Sequence, residues 1–202
     1  MTPSRGSVLP AAFYARDTVT VARGLLGQRL CHRLPDGELR SGIIVETEAY
    51  LGLQDKAAHS FGGKRTARTE TMYGPPGRAY VYLIYGMYYC LNAITQAEGV
   101  PEGVLIRALE PEQGHAGWAR ELAHLKPKHW LSGPGRLCRG MQIGKAQNGL
   151  DLSSSSLWVE AAGALADADI IAGPRIGIGY AEEAVDWPLR FYRRGSLSVS
   201  KG

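Results

Sequence analysis

A chain of 202 residues, 45% hydrophobic and 21% charged, is long enough to bury a full core in one domain, and its composition excludes collagen-like and disordered classes. The formal net charge is only +4, but 17 arginines stand against 6 lysines, a bias suited to flat bidentate contacts with phosphate or carboxylate. Cys31, Cys90 and Cys138 are odd in number and lack ligand spacing, and no apolar run has membrane-helix or signal-peptide character, so no metal, disulfide or membrane is expected.

Residues 1–13 lack periodicity and are expected to form a loose arm. Asp17 is placed to cap a short helix through Val21, Leu25 and Leu26, which Gly27 stops. Gln28 to Arg33 and Leu39 to Glu48 read as strands joined around Pro35-Asp36-Gly37. Regular alternation along the second strand would put Ile43, Val45 and Thr47 on one face. Ile44, Glu46, Glu48 and Tyr50 would then share the other.

Gly52 to Gly77, with His59, is a long loop rich in Gly, Pro, Thr and Arg, and long loops inside compact domains are usually functional. Tyr80 to Asn92 then reads as an aromatic hairpin with a two-residue Tyr85-Gly86 turn, Tyr85 at its exposed tip. Tyr80, Tyr82 and Ile84 share one face of its first strand. Val104 to Leu109 is an apolar strand interrupted by Arg107, which predicts a buried carboxylate opposite that guanidinium.

A helical segment is expected from Pro111 through Trp118, Leu122 and Leu125, and another over Arg136 to Ile143 after Ser132-Gly-Pro-Gly, ended by Gly144. Ile170-Ile-Ala, Arg175 to Tyr180 and Leu189 to Tyr192 read as short strands or turns. With no repeat or linker, residues 1–202 read as a single α+β domain with a mainly antiparallel curved sheet, flanking helices and a protruding β-hairpin.

Two features carry chemistry. Glu46 and Glu48 would project together, and one of them, held by Arg107, could polarise a water as general base. The same acid spacing fits an inverting carbohydrate hydrolase. An exposed aromatic tip suits a wedge between base pairs, and a base must leave the stack before chemistry can reach it. A non-catalytic module for damaged DNA would use the same wedge. His59 stands alone in the sequence, with no second histidine at ligand spacing.

The chain closely resembles the alkyladenine (3-methyladenine) DNA glycosylases, a vertebrate-type family also found in bacteria. The matching stretches include Leu25 to Gln28, Val45 to Gly52, Ala57 to Ser60, Tyr80 to Asn92, Arg107 to Pro111, Ser132 to Pro134 and Leu189 to Tyr192. The pairing of Thr47-Glu-Ala-Tyr50 with the Tyr-Val-Tyr run and Ile84-Tyr-Gly-Met87 is highly specific.

The resemblance implies a monofunctional DNA N-glycosylase of base-excision repair that hydrolyses the bond to an alkylated or deaminated purine and leaves an abasic site. It implies Glu48 as general base, with Arg107 and the backbone carbonyl of Ile176 placing the water. Tyr50 would stack on one face of the flipped base and His59 and Tyr82 on the other, Asn92 would crowd the amino group of normal guanine, and Tyr85 would intercalate. Glu46 has no catalytic role in that family. A monomer acting on double-stranded DNA without cofactor is implied, working in the cytoplasm on the nucleoid, or in the nucleus of a eukaryote.

Overall fold

The computed structural model describes residues 6–200. Residues 1–5 of the expected arm lie outside the described residues, but the rest of it is not loose. Leu9 is buried and its N–H donates to Val159 O at 2.9 Å, and α1 (Ala11–Tyr14) follows. The anchors are an apolar side chain and a backbone bridge, neither of which has a periodic signal.

Asp17 caps α2 (Thr18–Leu25) by accepting from the Thr20 N–H at 2.9 Å. Val21, Ala22 and Leu25 from this helix are fully buried. The chain then enters β1 (Arg29–Arg33), which pairs antiparallel with β2 (Leu39–Tyr50) across the expected turn. Between β2 and the hairpin the long loop folds into three short 3-10 turns, Gly52–Gln54, Phe61–Gly63 and Glu70–Tyr73.

The hairpin is β3 (Ala79–Ile84) with β4 (Tyr88–Thr95). Tyr85 and Gly86 both take positive φ, 52° and 67°, and the Met87 N–H closes the turn on Ile84 O at 3.1 Å. This is the mirror-image turn that matches strand twist, and pairing resumes at Tyr88 rather than Met87.

β5 (Glu102–Gln113) runs beyond Leu109, so Pro111 lies in a strand and does not begin a helix. Its partner β2 continues alongside, and Pro111 faces Gly42 beside a register shift, where a sheet admits proline. Gly114, at φ 113°, ends the strand, and only then does α3 (His115–Glu121) start.

α4 (Pro134–Gly140) begins two residues before the expected Arg136, within the start signal itself, and stops before Ile143. β6 (Leu157–Glu160), unread in the sequence, pairs with β1. β7 (Ile170–Gly173) and β8 (Arg190–Arg193) pair with each other, and β8 also lies along β2. Residues 175–180 form irregular turns, not a strand.

The result is an α+β fold with one curled antiparallel sheet in the order β3-β4-β5-β2-β1-β6, with β8 and β7 attached at β2. Helices α2 and α4 pack on it, and the Thr47 hydroxyl donates to Ala22 O at 2.9 Å, tying α2 to β2.

The β2–β5 ladder contains the irregularity on which the site depends. Ile44 pairs with Leu109, Glu46 with Ala108 and Thr47 with Ile106, so Val45 on one strand and Arg107 on the other are each left over. Such bulges redirect side chains. Ile44 and Ala49 therefore both join the main core, which strict alternation forbids for residues five apart. The expected common face is corrected accordingly: Ile44 points into the core, while Glu46, Glu48 and Tyr50 turn to the opposite side with Arg107.

Candidate active site

A cleft of about 1040 Å³ opens on that side, between the hairpin, the 175–180 turns and the segment after β8. Its size is at the upper end for a small-molecule site and leaves room for more than one flat ring. Tyr50, His59, Tyr82, Asn92, Arg107 and Ile176 all line it.

Glu48 lies just behind that lining, with no exposed surface. Its Oε2 accepts from Arg107 Nη1 at 3.2 Å and from the Tyr50 hydroxyl at 2.9 Å, and its Oε1 accepts from the Ile176 N–H at 2.7 Å. Each of the three residues that hold it faces the cleft. Burial raises the Glu48 pKa above the ordinary carboxylate value, and Arg107 and the two other donors pull part of it back. Arg107 keeps its proton, because the attraction of Glu48 and Glu46 outweighs its own burial.

Glu46 is held differently. Arg107 Nε at 3.1 Å, Arg190 Nε at 2.8 Å and the Ser200 hydroxyl at 2.9 Å converge on its Oε1, and the Ser200 N–H meets Oε2 at 2.8 Å. Four donors thus satisfy a fully buried carboxylate. The expectation of a buried acid opposite Arg107 is met twice over, by two acids in unequal surroundings.

Aromatic side chains form the walls. His59 and Tyr82 meet edge to face with ring centroids 4.5 Å apart, and His59 Nδ1 lies 3.0 Å from the Tyr80 hydroxyl. Burial, with Arg68 and Lys64 nearby, lowers the His59 pKa to about 4, so its ring is neutral at neutral pH. Burial likewise pushes Tyr80 up to about 12 and raises Tyr82.

The Tyr50 ring carries the Arg175 guanidinium 4.7 Å from its centroid. Arg175 is itself clamped by both Asp55 oxygens, at 2.5 and 2.8 Å, and donates to Ala49 O at 2.9 Å. Asn92 donates to Tyr80 O at 3.2 Å, which fixes its side chain on the wall. Tyr85 stands apart at the tip, 77% exposed, beside the exposed Met87.

The folded chain thus gathers Glu48, Tyr50, His59, Tyr82, Asn92, Arg107 and Ile176 around one cleft and puts Tyr85 on its rim. Ile176 approaches Glu48 through its amide N–H, a contact the sequence reading did not contain. Arg175, Asp55, Arg190 and Ser200 were also missed. Arg175 next to Ile176 was the one with a signal, as a charge in an apolar Ile-Gly-Ile run. The partners of Arg190 and Ser200 lie 144 and 154 residues away, beyond any local pattern.

A family model described as methylpurine-DNA glycosylase matches residues 12–197. Among curated relatives, a protein of Bacillus cereus strain G9842 is 53% identical over 206 residues, covering 95% of this chain and 98% of its own. Proteins of Bacillus cytotoxicus and Bacillus thuringiensis strain Al Hakam are 51% and 52% identical with the same coverage. All three are named, provisionally, as 3-methyladenine DNA glycosylases.

Proposed function

Since the chain belongs to the methylpurine-DNA glycosylase family and is a DNA N-glycosylase of DNA repair, we propose that its cleft receives a damaged purine turned out of the duplex. Glu48 then directs the water that cuts the glycosidic bond. The observation that supports this most directly is the isolation of Glu48. It is a buried carboxylate held by Arg107, Tyr50 and the Ile176 amide, immediately beneath an aromatic cleft.

In this reading the nucleotide leaves the stack and Tyr85 fills the gap, which offsets part of the unstacking cost of roughly a few kcal/mol. The base lies between Tyr50 and the pair His59 and Tyr82. An alkylated purine is a cation, and neutral electron-rich rings attract it by about 0.5–2 kcal/mol. Asn92 crowds the exocyclic amino group of normal guanine.

One water enters between Glu48 and the sugar, where Arg107 and the Ile176 carbonyl help to orient it. As the bond from the sugar C1′ to the purine nitrogen breaks, its electron pair leaves with the base. The water oxygen bonds to C1′ and its proton passes to Glu48, whose charge also stabilises the oxocarbenium-like transition state. A cationic alkylated base departs neutral, so one acid suffices and an abasic site remains. We extend the proposal to a monofunctional enzyme, monomeric and cytoplasmic, acting on double-stranded DNA.

Family membership removes both rival readings, the non-catalytic damage-binding module and the inverting carbohydrate hydrolase. The four donors around Glu46 also argue against a working acid pair. The test is base release from duplexes carrying 3-methyladenine, 7-methylguanine, hypoxanthine or ethenoadenine. Glu48→Gln should abolish release and keep lesion binding; a variant that still releases base at the wild-type rate refutes the mechanism.

A further inference from the structure

We infer that Ser200, in the segment after β8, is a positioning residue of the active site: it satisfies Glu46 and thereby leaves Arg107 to hold Glu48. The inference rests on the reading of Glu48 as general base. Ser200 is buried and makes three polar contacts within the acid cluster. Its N–H and hydroxyl donate to the two oxygens of Glu46 at 2.8 and 2.9 Å. Its hydroxyl oxygen also accepts from Arg107 Nη2 at 3.2 Å.

The argument is one of competition. Glu46 and Glu48 lie two residues apart on β2 and both draw on the Arg107 guanidinium, through Nε at 3.1 Å and Nη1 at 3.2 Å. A buried carboxylate short of donors is costly. Without the Ser200 hydroxyl, Glu46 keeps the guanidinium of Arg190, the Ser200 N–H and whatever it can take from Arg107. Among the described residues the cation able to swing is Arg107, which loses its Nη2 acceptor in the same change.

As Arg107 moves toward Glu46 it withdraws from Glu48, and the proton-bearing form of Glu48 is favoured. Among the described residues, the charged and titratable groups facing Glu48 are few enough to name. They are Glu46 and Tyr50 on β2, Arg107 on β5, Tyr82 on β3 and Cys90 on β4. Arg190 on β8 stands beyond Glu46, and Arg175 beyond the Tyr50 ring. Ser200 acts through the geometry that Arg107 divides between two acids.

The experiment measures single-turnover base release from a methylated duplex between pH 5 and pH 9, with lesion binding measured separately. Ser200→Ala should move the acidic limb upward by about half a pH unit or more, slow release several-fold below that limb, and leave lesion binding within about twofold. Ser200→Thr, which restores the hydroxyl, should return the profile to that of wild type. Ser200→Cys, a weak donor of similar size, should fall between them and serves if the alanine variant does not fold.

An unmoved limb in Ser200→Ala or Ser200→Cys, or a loss equal at every pH, overturns the inference. Glu48→Gln is run alongside. If that variant stays active, the reading of Glu48 falls and takes this inference with it. If it is inactive while the Ser200 variants keep the wild-type limb, the inference alone is wrong.

Discussion

The Tyr50 hydroxyl donates to Glu48 Oε2 at 2.9 Å, so the ring that forms one wall of the cleft also covers the acid beneath it. Cleft wall and hydrogen bond are thus joined in one side chain, two residues along the strand from the carboxylate it holds. The guanidinium of Arg175 backs the same ring, and its clamp to Asp55 keeps the ring where both contacts are made.

Tyr50→Phe separates the two roles. The ring remains to stack, but Glu48 loses a donor that holds its pKa down. The acidic limb of base release should therefore move to higher pH, with lesion binding changed by less than about threefold, since one hydrogen bond to a charged group and no ring surface is removed. A limb that stays in place while binding collapses would show that the hydroxyl matters to the base and not to the acid.

Glu46→Gln tests whether the second acid is architectural. It leaves Arg107 and Arg190 without their shared anion in a fully buried site. Breaking such a cluster by removing one partner costs about 3–5 kcal/mol, so the denaturation midpoint should fall sharply. Glu48→Gln should cost less, because only one guanidinium nitrogen and two neutral donors lose a charge. Urea midpoints in the reverse order would contradict this division of roles.

His59 gives a stability dependence of definite sign. Its folded pKa is lowered to about 4 from 6.5, so the contribution is present above pH 6.5 and is lost as pH falls through the folded value. The gap in thermal midpoint between wild type and His59→Gln should shrink when both are moved from pH 7.5 to pH 4.5. A gap that stays constant across that window means His59 does not titrate as its burial requires.

Tyr85→Ser probes the exposed tip. If the ring acts as a wedge, binding to a lesion in duplex should weaken by about tenfold, the scale of a stacking contact, while binding to the same lesion already unpaired changes little. Affinity for either should drop with rising salt, as phosphate contacts do. Equal losses on the two substrates would assign Tyr85 some other task.

Much of this was legible because it follows from short-range rules. Asp17 caps a helix, Tyr85-Gly86 makes a mirror-image turn, and a charge inside Val104 to Leu109 needs an opposite charge. The motifs around Glu48 and Tyr82 then tied those pieces to a family. Pro111 was misread as a helix start because proline at a helix N-terminus is the commoner pattern, and β6 passed unnoticed because four residues carry too little periodicity to detect.

The order of residues along the chain determined the chemistry on offer: a carboxylate strand, an aromatic hairpin and a lone arginine within an apolar run. Tertiary structure decided how two neighbouring acids share their donors. Opposed bulges at Val45 and Arg107 set the faces, and Arg190 and Ser200, over a hundred residues distant, saturate Glu46 but leave Glu48 to Arg107, Tyr50 and the Ile176 amide. Local pattern can announce a charge that needs a partner. Pairing register and long-range packing choose the partner, because hydrogen bonds form only over a few ångströms of space and take no account of separation in sequence.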